Sequence, residues 1–377
     1  MSAHANPNII TDGLVYMYDT GSGKSFKGEP TTNLLSSPTD MEGAGWSLGN
    51  TPSQITITGN QSDPFGQNNA ILFKVASNGG FYPHIRQIDK ITGTTSSHSI
   101  SIWAKSKSGS TRLDLVCFRS SPWGTAFSKT VTLTSEWQRF ELTGTPLDTT
   151  GHRVYFMCQN VSSGTATEVY MAYPQLEAKS HATPYVDGTR SSTQGLIDRT
   201  GSSTIDLSNV TFDSNSQMSF DGSDDTINTG LFNGRNPSTD PFTIEAIVKS
   251  DITSGNRMWI DATTNGSSQR FYSALIDSTS HAIGIQGSAW SDTTPGDTDW
   301  HHQVIVMDGN TAKAYNNGEL ASSKSYTSYT LAGGLNVGGR SGYRWVGQIP
   351  IFKIYDQALT QDEVSLNYNA FKDRFGL

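Results

Sequence analysis

The sequence predicts an all-β protein built of sandwiched sheets, with one short helix near its C-terminal end. Three observations point there. Ser and Thr supply 91 of the 377 residues and Gly another 37, a mixture suited to short strands joined by tight turns. Apolar residues alternate with a period of two along much of the chain. Asp-Gly and Asn-Gly turns separate many of the alternating runs. With only 16% of residues charged, the composition argues against a helical bundle or a doubly wound α/β enzyme.

Taken in chain order, the expected strands are Ala70–Val75, His98–Lys105, Arg112–Phe118, Glu136–Leu142, Arg153–Gln159, Glu168–Leu176, Ile205–Phe212, Phe242–Lys249, Gln269–Ile276, Ala282–Gln286, His301–Met307, Ala312–Asn316 and Gln348–Tyr355. In HSISIWAK and FTIEAIVK the second side-chain set is also partly apolar, which predicts cover on both sheet faces. Met307-Asp308-Gly309-Asn310 reads as a hairpin and Asn316-Asn317-Gly318 as the next turn. Thr360, Glu363 and the stripe Val364, Tyr368 and Phe371 predict a capped helix lying on the outside of a sheet.

Several classes are excluded. No run of 18 apolar residues occurs, so no membrane-crossing helix is expected. The opening MSAHANPNIITDG has no apolar signal-peptide region. A net charge of −8 without a basic stripe makes nucleic acid an unsuitable partner. Cys117 and Cys158 are too few for a disulfide framework and are expected as buried free thiols, with a disulfide as the alternative if their strands are neighbours. Turn-rich stretches at 183–201 and near Glu29-Pro30-Thr31-Thr32 read as crossings between domains.

In the C-terminal half, Phe220-Asp221-Gly222-Ser223-Asp224-Asp225, FTIEAIVKS, Asp299-Trp300-His301-His302, Asn316-Asn317-Gly318 and VGQIPIFKIYDQALTQDEV follow in order. This set resembles the concanavalin A-like lectin/glucanase fold, in the laminin-G-like branch common in bacteriophage virion proteins. Ile10-Thr11-Asp12-Gly13-Leu14-Val15 with Tyr18-Asp19 resembles the opening strand of cyanophage members. The segment that should follow it at once has its counterpart at Leu196–Gly201, some 165 residues later. Residues 31–189 therefore read as an insertion, leaving 1–30 plus 190–377 as the interrupted domain. The insert, through Asn33-Leu34-Leu35, Trp46, Glu136–Phe140 and Tyr173–Glu177, resembles the carbohydrate-binding-module-like jelly roll of phage fibre and baseplate proteins. Insertion is tolerable because sandwich termini lie at the surface and often close together.

The resemblance implies a non-enzymatic protein at the virion surface, a capsid decoration or a tail or neck fibre part. Its implied partners are capsid or tail proteins, further copies of itself, and host cell-surface polysaccharide. A soluble glycan-binding or polysaccharide-active protein is the alternative. Glucanase chemistry needs paired carboxylates in one cleft, arranged as E-x-D-x-x-E in that branch. The nearest approach is Glu136–Glu141, with Gln138 where Asp is required. Trp123 and Trp290 sit in turn-like segments and are the candidate sugar platforms, while Trp46, Trp103, Trp137, Trp259, Trp300 and Trp345 read as core or inter-sheet residues. Calcium is the cation expected if one binds, at Asp221, Asp224 and Asp225 or, by resemblance, at Glu177. Asp292, Asp297 and Asp299 read as a solvated loop.

Overall fold

The computed structural model describes residues 8–49, 52–76, 82–107, 109–158, 166–262, 270–285, 288–291, 294–331 and 333–377. The chain divides into two compact units. One comprises Met1–Pro30, Ser191–Asp213 and Gln217–Leu377; the other comprises Thr31–Arg190 with Ser214–Ser216.

The discontinuous unit is a two-sheet sandwich. Its eight-stranded sheet runs Thr211–Phe212, Met218–Asp221, Val346–Tyr355, Phe242–Ser250, Trp300–Asp308, Thr311–Asn316, Glu319–Ser325, with Leu14–Asp19 also pairing Val346–Tyr355. Opposite lie six strands in the order Ile227–Asn228, Asn336–Val337, Arg257–Asp261, Phe271–Asp277, Ser280–Ile285, Ser288–Ser291. Alternation assigns each face. Ile244, Ala246 and Val248 point into the core between the sheets with Phe352, Ile354, Ile305 and Met307. Thr243, Glu245 and Ile247 point the other way and are buried too. The helix Gln361–Phe375 is the cover: Val364 joins Val304, Val306 and Tyr355, and Phe371 joins Ile247 and Ile351.

The helix begins at a capping box made by Thr360 and Glu363 and ends at Gly376 in the left-handed region, φ 70°. Its third buried residue is Asn367 rather than Tyr368, because the sheet beneath carries a charge there. Glu245 stands directly opposite Lys353 in the strand register. Its Oε1 accepts from Lys353 Nζ at 2.5 Å and meets His302 Nε2 at 2.9 Å, and its Oε2 accepts from Asn367 Nδ2 at 2.7 Å. Burial alone would raise the Glu245 carboxyl; the neighbouring Lys353 and His302 outweigh it and hold it at about 2.

The continuous unit is a second sandwich, with sheets Gln138–Gly144, His98–Ser106, Thr167–Glu177, Ala70–Val75, Ile55–Gln61 and Ser47–Gly49, His84–Ile91, His152–Cys158, Thr111–Arg119, Gly124–Leu133. Ile100, Ile102, Leu113, Leu115, Val154, Phe156 and Met171 fill the space between them. Cys117 and Cys158 are free and buried in that core, and burial pushes both thiols up to about 12. Thr31–Thr32 pairs with Thr189–Arg190, so both ends of the unit leave it side by side.

Two sequence expectations need correction. Of the strand expected over Ile205–Phe212, only Thr211–Phe212 pairs. Ile205, Leu207 and Val210 are buried, but Asp206 accepts from the Ser208 N–H and the Val210 N–H donates to the Leu207 carbonyl to close a turn; the alternation there plugs a core without a ladder. Trp259 and Trp345 are core residues as expected, whereas Trp103 and Trp137 pack on an outward face and Trp300 lies against Phe375 of the helix. Gln159, Gln269, Gln286 and Asp292 lie outside the described residues.

Candidate functional site

One face of the continuous unit combines an exposed aromatic ring with open hydrogen-bond donors. Period-two alternation creates it. In Thr111–Arg119, Leu113, Leu115 and Cys117 go inward, so Asp114, Val116 and Phe118 face outward. In His152–Cys158 the outward set is Arg153, Tyr155 and Met157, and His84 and Arg86 extend it on the neighbouring strand. Arg86, Tyr155 and Val116 stand in one row across three strands.

The turn after Arg119 carries Trp123 over this face. Arg119 braces the turn, donating from Nε to the Pro122 carbonyl at 2.7 Å and from Nη1 to Asp148 at 2.8 Å. Trp123 is 64% exposed. Its ring centroid lies 6.3 Å from Phe118, which meets Tyr155 edge-on at 5.0 Å. The Tyr155 ring lies 4.5 Å from His84. Burial pushes the His84 imidazole down, and Arg86 pushes it the same way against the Tyr82 carbonyl; the neutral ring donates from Nδ1 to that carbonyl at 2.9 Å.

Two guanidinium groups stack on the rings: Arg86 lies 5.5 Å from the Tyr155 centroid and Arg153 lies 5.0 Å from that of Trp123. Arg86 donates to Ser47 Oγ at 3.3 Å and to Tyr155 OH at 3.1 Å. Arg153 donates from Nε to Ser120 Oγ at 3.0 Å, and Ser120 in turn donates to Asp89 at 2.7 Å. An exposed aromatic ring with hydrogen-bond donors beside it is an arrangement that suits a sugar: the ring takes the apolar C–H face and the donors take the oxygens.

The opposite sheet of the same unit has its own exposed ring, Phe65, 5.5 Å from Trp103 and 5.3 Å from Tyr173. Its polar neighbours are engaged locally. Asp63 accepts from the N–H groups of Phe65, Gln67 and Asn69 and from Tyr173 OH, and the Asn69 amide donates to Asp63, Gln67 and Tyr173. This is a tied loop presenting an apolar edge.

The other sequence candidates lie elsewhere. Trp290, in Ser288–Ser291, is half-buried against the core of the discontinuous unit. It donates to Ser322 at 3.1 Å, Lys324 lies 5.4 Å above its ring, and it lines a pocket of about 110 Å³ with Ile285 and Tyr326. Glu177 is fully buried; it accepts from Thr31 Oγ1, Thr183 N and Thr183 Oγ1 at 2.8, 3.0 and 2.6 Å, so both oxygens serve its own unit. Glu141 pairs with Arg139 at 3.1 Å. Asp297 meets His301 Nε2 at 2.8 Å, and Asp299 N–H donates to Asp297.

Asp221, Asp224 and Asp225 do come together, with carboxylate oxygens within 4.8 Å of one another. Asp225 is the buried member. It accepts the N–H groups of Thr211, at 2.7 Å, and of Asp221, and Asp221 accepts that of Ser223 at 2.7 Å. Burial raises the Asp225 carboxyl, while the Ser223 N–H holds Asp221 low. The cluster's own N–H groups thus take up acceptor positions on Asp221 and Asp225 that a calcium ion, which takes six to eight oxygens, would need. Asp225→Ala leaves two N–H groups without acceptors, and a stability loss of about 2 kcal/mol is expected, read from the urea midpoint.

The sequence of residues 221–365 matches the concanavalin A-like lectin/glucanases superfamily. That segment supplies the central strands of both sheets of the discontinuous unit. The fold is concanavalin A-like. No curated protein matches the sequence. Solved structures similar to the chain include one of botulinum neurotoxin type C, whose cell entry is described as dependent on two ganglioside molecules (14% identity, 46% of this chain and 48% of that one, TM-score 0.36). Others are a CBM4 (21%, 41% and 97%, TM-score 0.27) and the enzymatically active domain of tailspike protein 4 of bacteriophage CBA120 (14%, 38% and 21%, TM-score 0.31). The chain spans about half the length of the neurotoxin chain it matches. The concanavalin A-like unit and the continuous unit are both β-sandwiches.

The aromatic run on the continuous unit was only partly visible in the sequence. Trp123 stood out because a turn exposes it. Phe118 and Tyr155 fall in expected strands whose alternation leaves their face unassigned, and the strand His84–Ile91, which carries His84 and Arg86, is hidden by its polar residues Arg86, Gln87, Asp89 and Lys90. The one available signal was the outward phase of ARG–x–TYR in Arg153-Val154-Tyr155, set by its buried neighbours.

Proposed function

We propose that this chain is a non-enzymatic glycan-binding protein, that the sugar lies on the face built by Trp123, Phe118 and Tyr155, and that the protein works from the surface of a phage particle. The exposed Trp123 ring on a braced turn carries the reading. Pre-organisation of that turn by Arg119 limits the ordering cost on binding. The second half of the proposal, assembly onto capsid or tail proteins at the virion surface with host polysaccharide as the glycan source, rests on the ordered sequence resemblance to laminin-G-like phage proteins.

A glycan array followed by calorimetry on the full chain tests the first half. Trp123→Ala is expected to weaken binding about thirtyfold, the loss of a central aromatic contact worth ~2 kcal/mol, with an unchanged circular dichroism spectrum because the ring is largely in solvent. Trp290→Ala is expected to leave affinity unaltered. If Trp290→Ala abolishes binding and Trp123→Ala does not, the site belongs to the other unit. Release of reducing ends from any bound polysaccharide would contradict the non-enzymatic reading. Mass spectrometry of purified phage particles tests the second half; absence of the chain from them would remove the virion role.

A further inference from the structure

Resting on that reading of the Trp123 face, we infer that its ligand is an anionic sugar chain, one bearing carboxylate or sulfate groups, held by Arg86 and Arg153. The guanidinium group has five N–H donors in a planar fork. Arg86 engages two of them, with Ser47 and Tyr155, and Arg153 engages one, with Ser120. Neither makes an ion pair with a carboxylate among the described residues. Stacking on Tyr155 and Trp123 fixes each fork and leaves its remaining donors at the rim of the aromatic surface.

The charges around them are unequal in sign. The outward set of this sheet holds Arg86, Arg112 and Arg153 against one carboxylate, Asp114. Asp114 is buried and already accepts from Arg112 at 2.9 Å and from Thr130 at 2.7 Å. Asp89 reaches Arg153 through the Ser120 hydroxyl. On a chain of net charge −8, a face with two arginines that make no direct ion pair among the described residues, beside an exposed Trp, is a local reversal of sign. A neutral sugar would leave those charges without a counterion; an anion on the same ring meets them with charge-assisted bonds.

The test is calorimetry on the full chain with oligogalacturonate, with dextran sulfate, and with neutral cellohexaose and laminarihexaose, at low and high salt. One or both anionic probes are expected to bind at least about tenfold tighter than the neutral ones, and tenfold weaker after Arg86→Gln or Arg153→Gln. Raising the salt should weaken the anionic complexes and spare the neutral ones. Which anionic probe binds tells carboxylate from sulfate. Gln keeps a donor toward Tyr155 or Ser120, and matching melting curves confirm that the variants fold. Lys74→Gln, on the other sheet, is the control. Equal affinity for neutral and anionic chains, indifferent to both arginines but lost in Trp123→Ala, would overturn this inference and leave the glycan site standing. An equal loss in Lys74→Gln would overturn it as diffuse attraction. Binding of no sugar at all would remove the glycan site itself, and this inference with it.

Discussion

Glu245→Gln is expected to destabilise the concanavalin A-like unit by about 3–5 kcal/mol, the cost of leaving a buried charge without its partner. Lys353 is wholly inaccessible to solvent and Glu245 is the carboxylate that neutralises it. Glutamine keeps the shape and can still meet His302 and Asn367, so the loss isolates the charge. Replacing both members with apolar residues, Glu245→Leu with Lys353→Met, removes the uncompensated charge and is expected to recover most of the stability, since a buried pair gains little over a packed apolar substitute. Urea unfolding followed by tryptophan fluorescence reads both, with the transition of the continuous unit as internal reference. An unchanged midpoint for Glu245→Gln would show that the network does not hold the helix to the sheet.

Acidification is expected to unfold the same unit in two stages. His281 is buried between the sheets, 6.1 Å from Trp345 and 6.4 Å from His301, with the Gln303 amide 2.8 Å from its Nδ1. Burial first, and the neighbouring His301 second, lower it from 6.5 to about 3 against the pull of Asp297. A histidine lowered in the folded state binds fewer protons there than when unfolded. Its contribution is therefore intact above pH 6.5 and is lost as the pH falls toward 3, at ~1.4 kcal/mol per pH unit and on the order of 4 kcal/mol by pH 3.5. Glu245, lowered from 4.5 to about 2, adds a second loss below pH 4.5. Denaturant midpoints measured from pH 7.5 to 3.5 should fall from about pH 6.5 and steepen below 4.5. His281→Gln should flatten the upper stage and leave the lower one. If the wild-type midpoint is level down to pH 4.5, His281 does not carry that linkage.

Sheet architecture was legible because each buried face imposes its period on the sequence. FTIEAIVK announced cover on both sides, and the helix supplies it. What the period could not reveal was which polar residues are buried. Glu245, Lys353, His302 and Asn367 lie in three strands and a helix far apart in sequence, and nothing local marks them as one cluster; Asn367 was passed over for Tyr368 because an amide breaks the apolar stripe. The candidate site shows the same limit. Trp123 is legible as a ring in a turn, but its arginine neighbours come from strands brought alongside only by pairing, and Gly124–Leu133, with Thr or Ser at four of its ten positions, carries too little apolar signal to read as a strand. Glu177 shows the converse: an acid at a strand end suggests a ligand until its hydrogen bonds are seen to close on its own unit.

The strand Val346–Tyr355 has a consequence for synthesis. It is made after all three strands it pairs with, Leu14–Asp19, Met218–Asp221 and Phe242–Ser250. On the ribosome, residues 31–190 emerge complete while the flanking segments wait without their central strand. The sandwich of residues 31–190 has all its own strands before residue 191 and can fold first; the discontinuous one closes only once Val346–Tyr355 has been translated. A chain cut short before Val346 would thus hold a finished sandwich of residues 31–190 trailing unpaired strand edges, the kind of product that proteases and aggregation claim first.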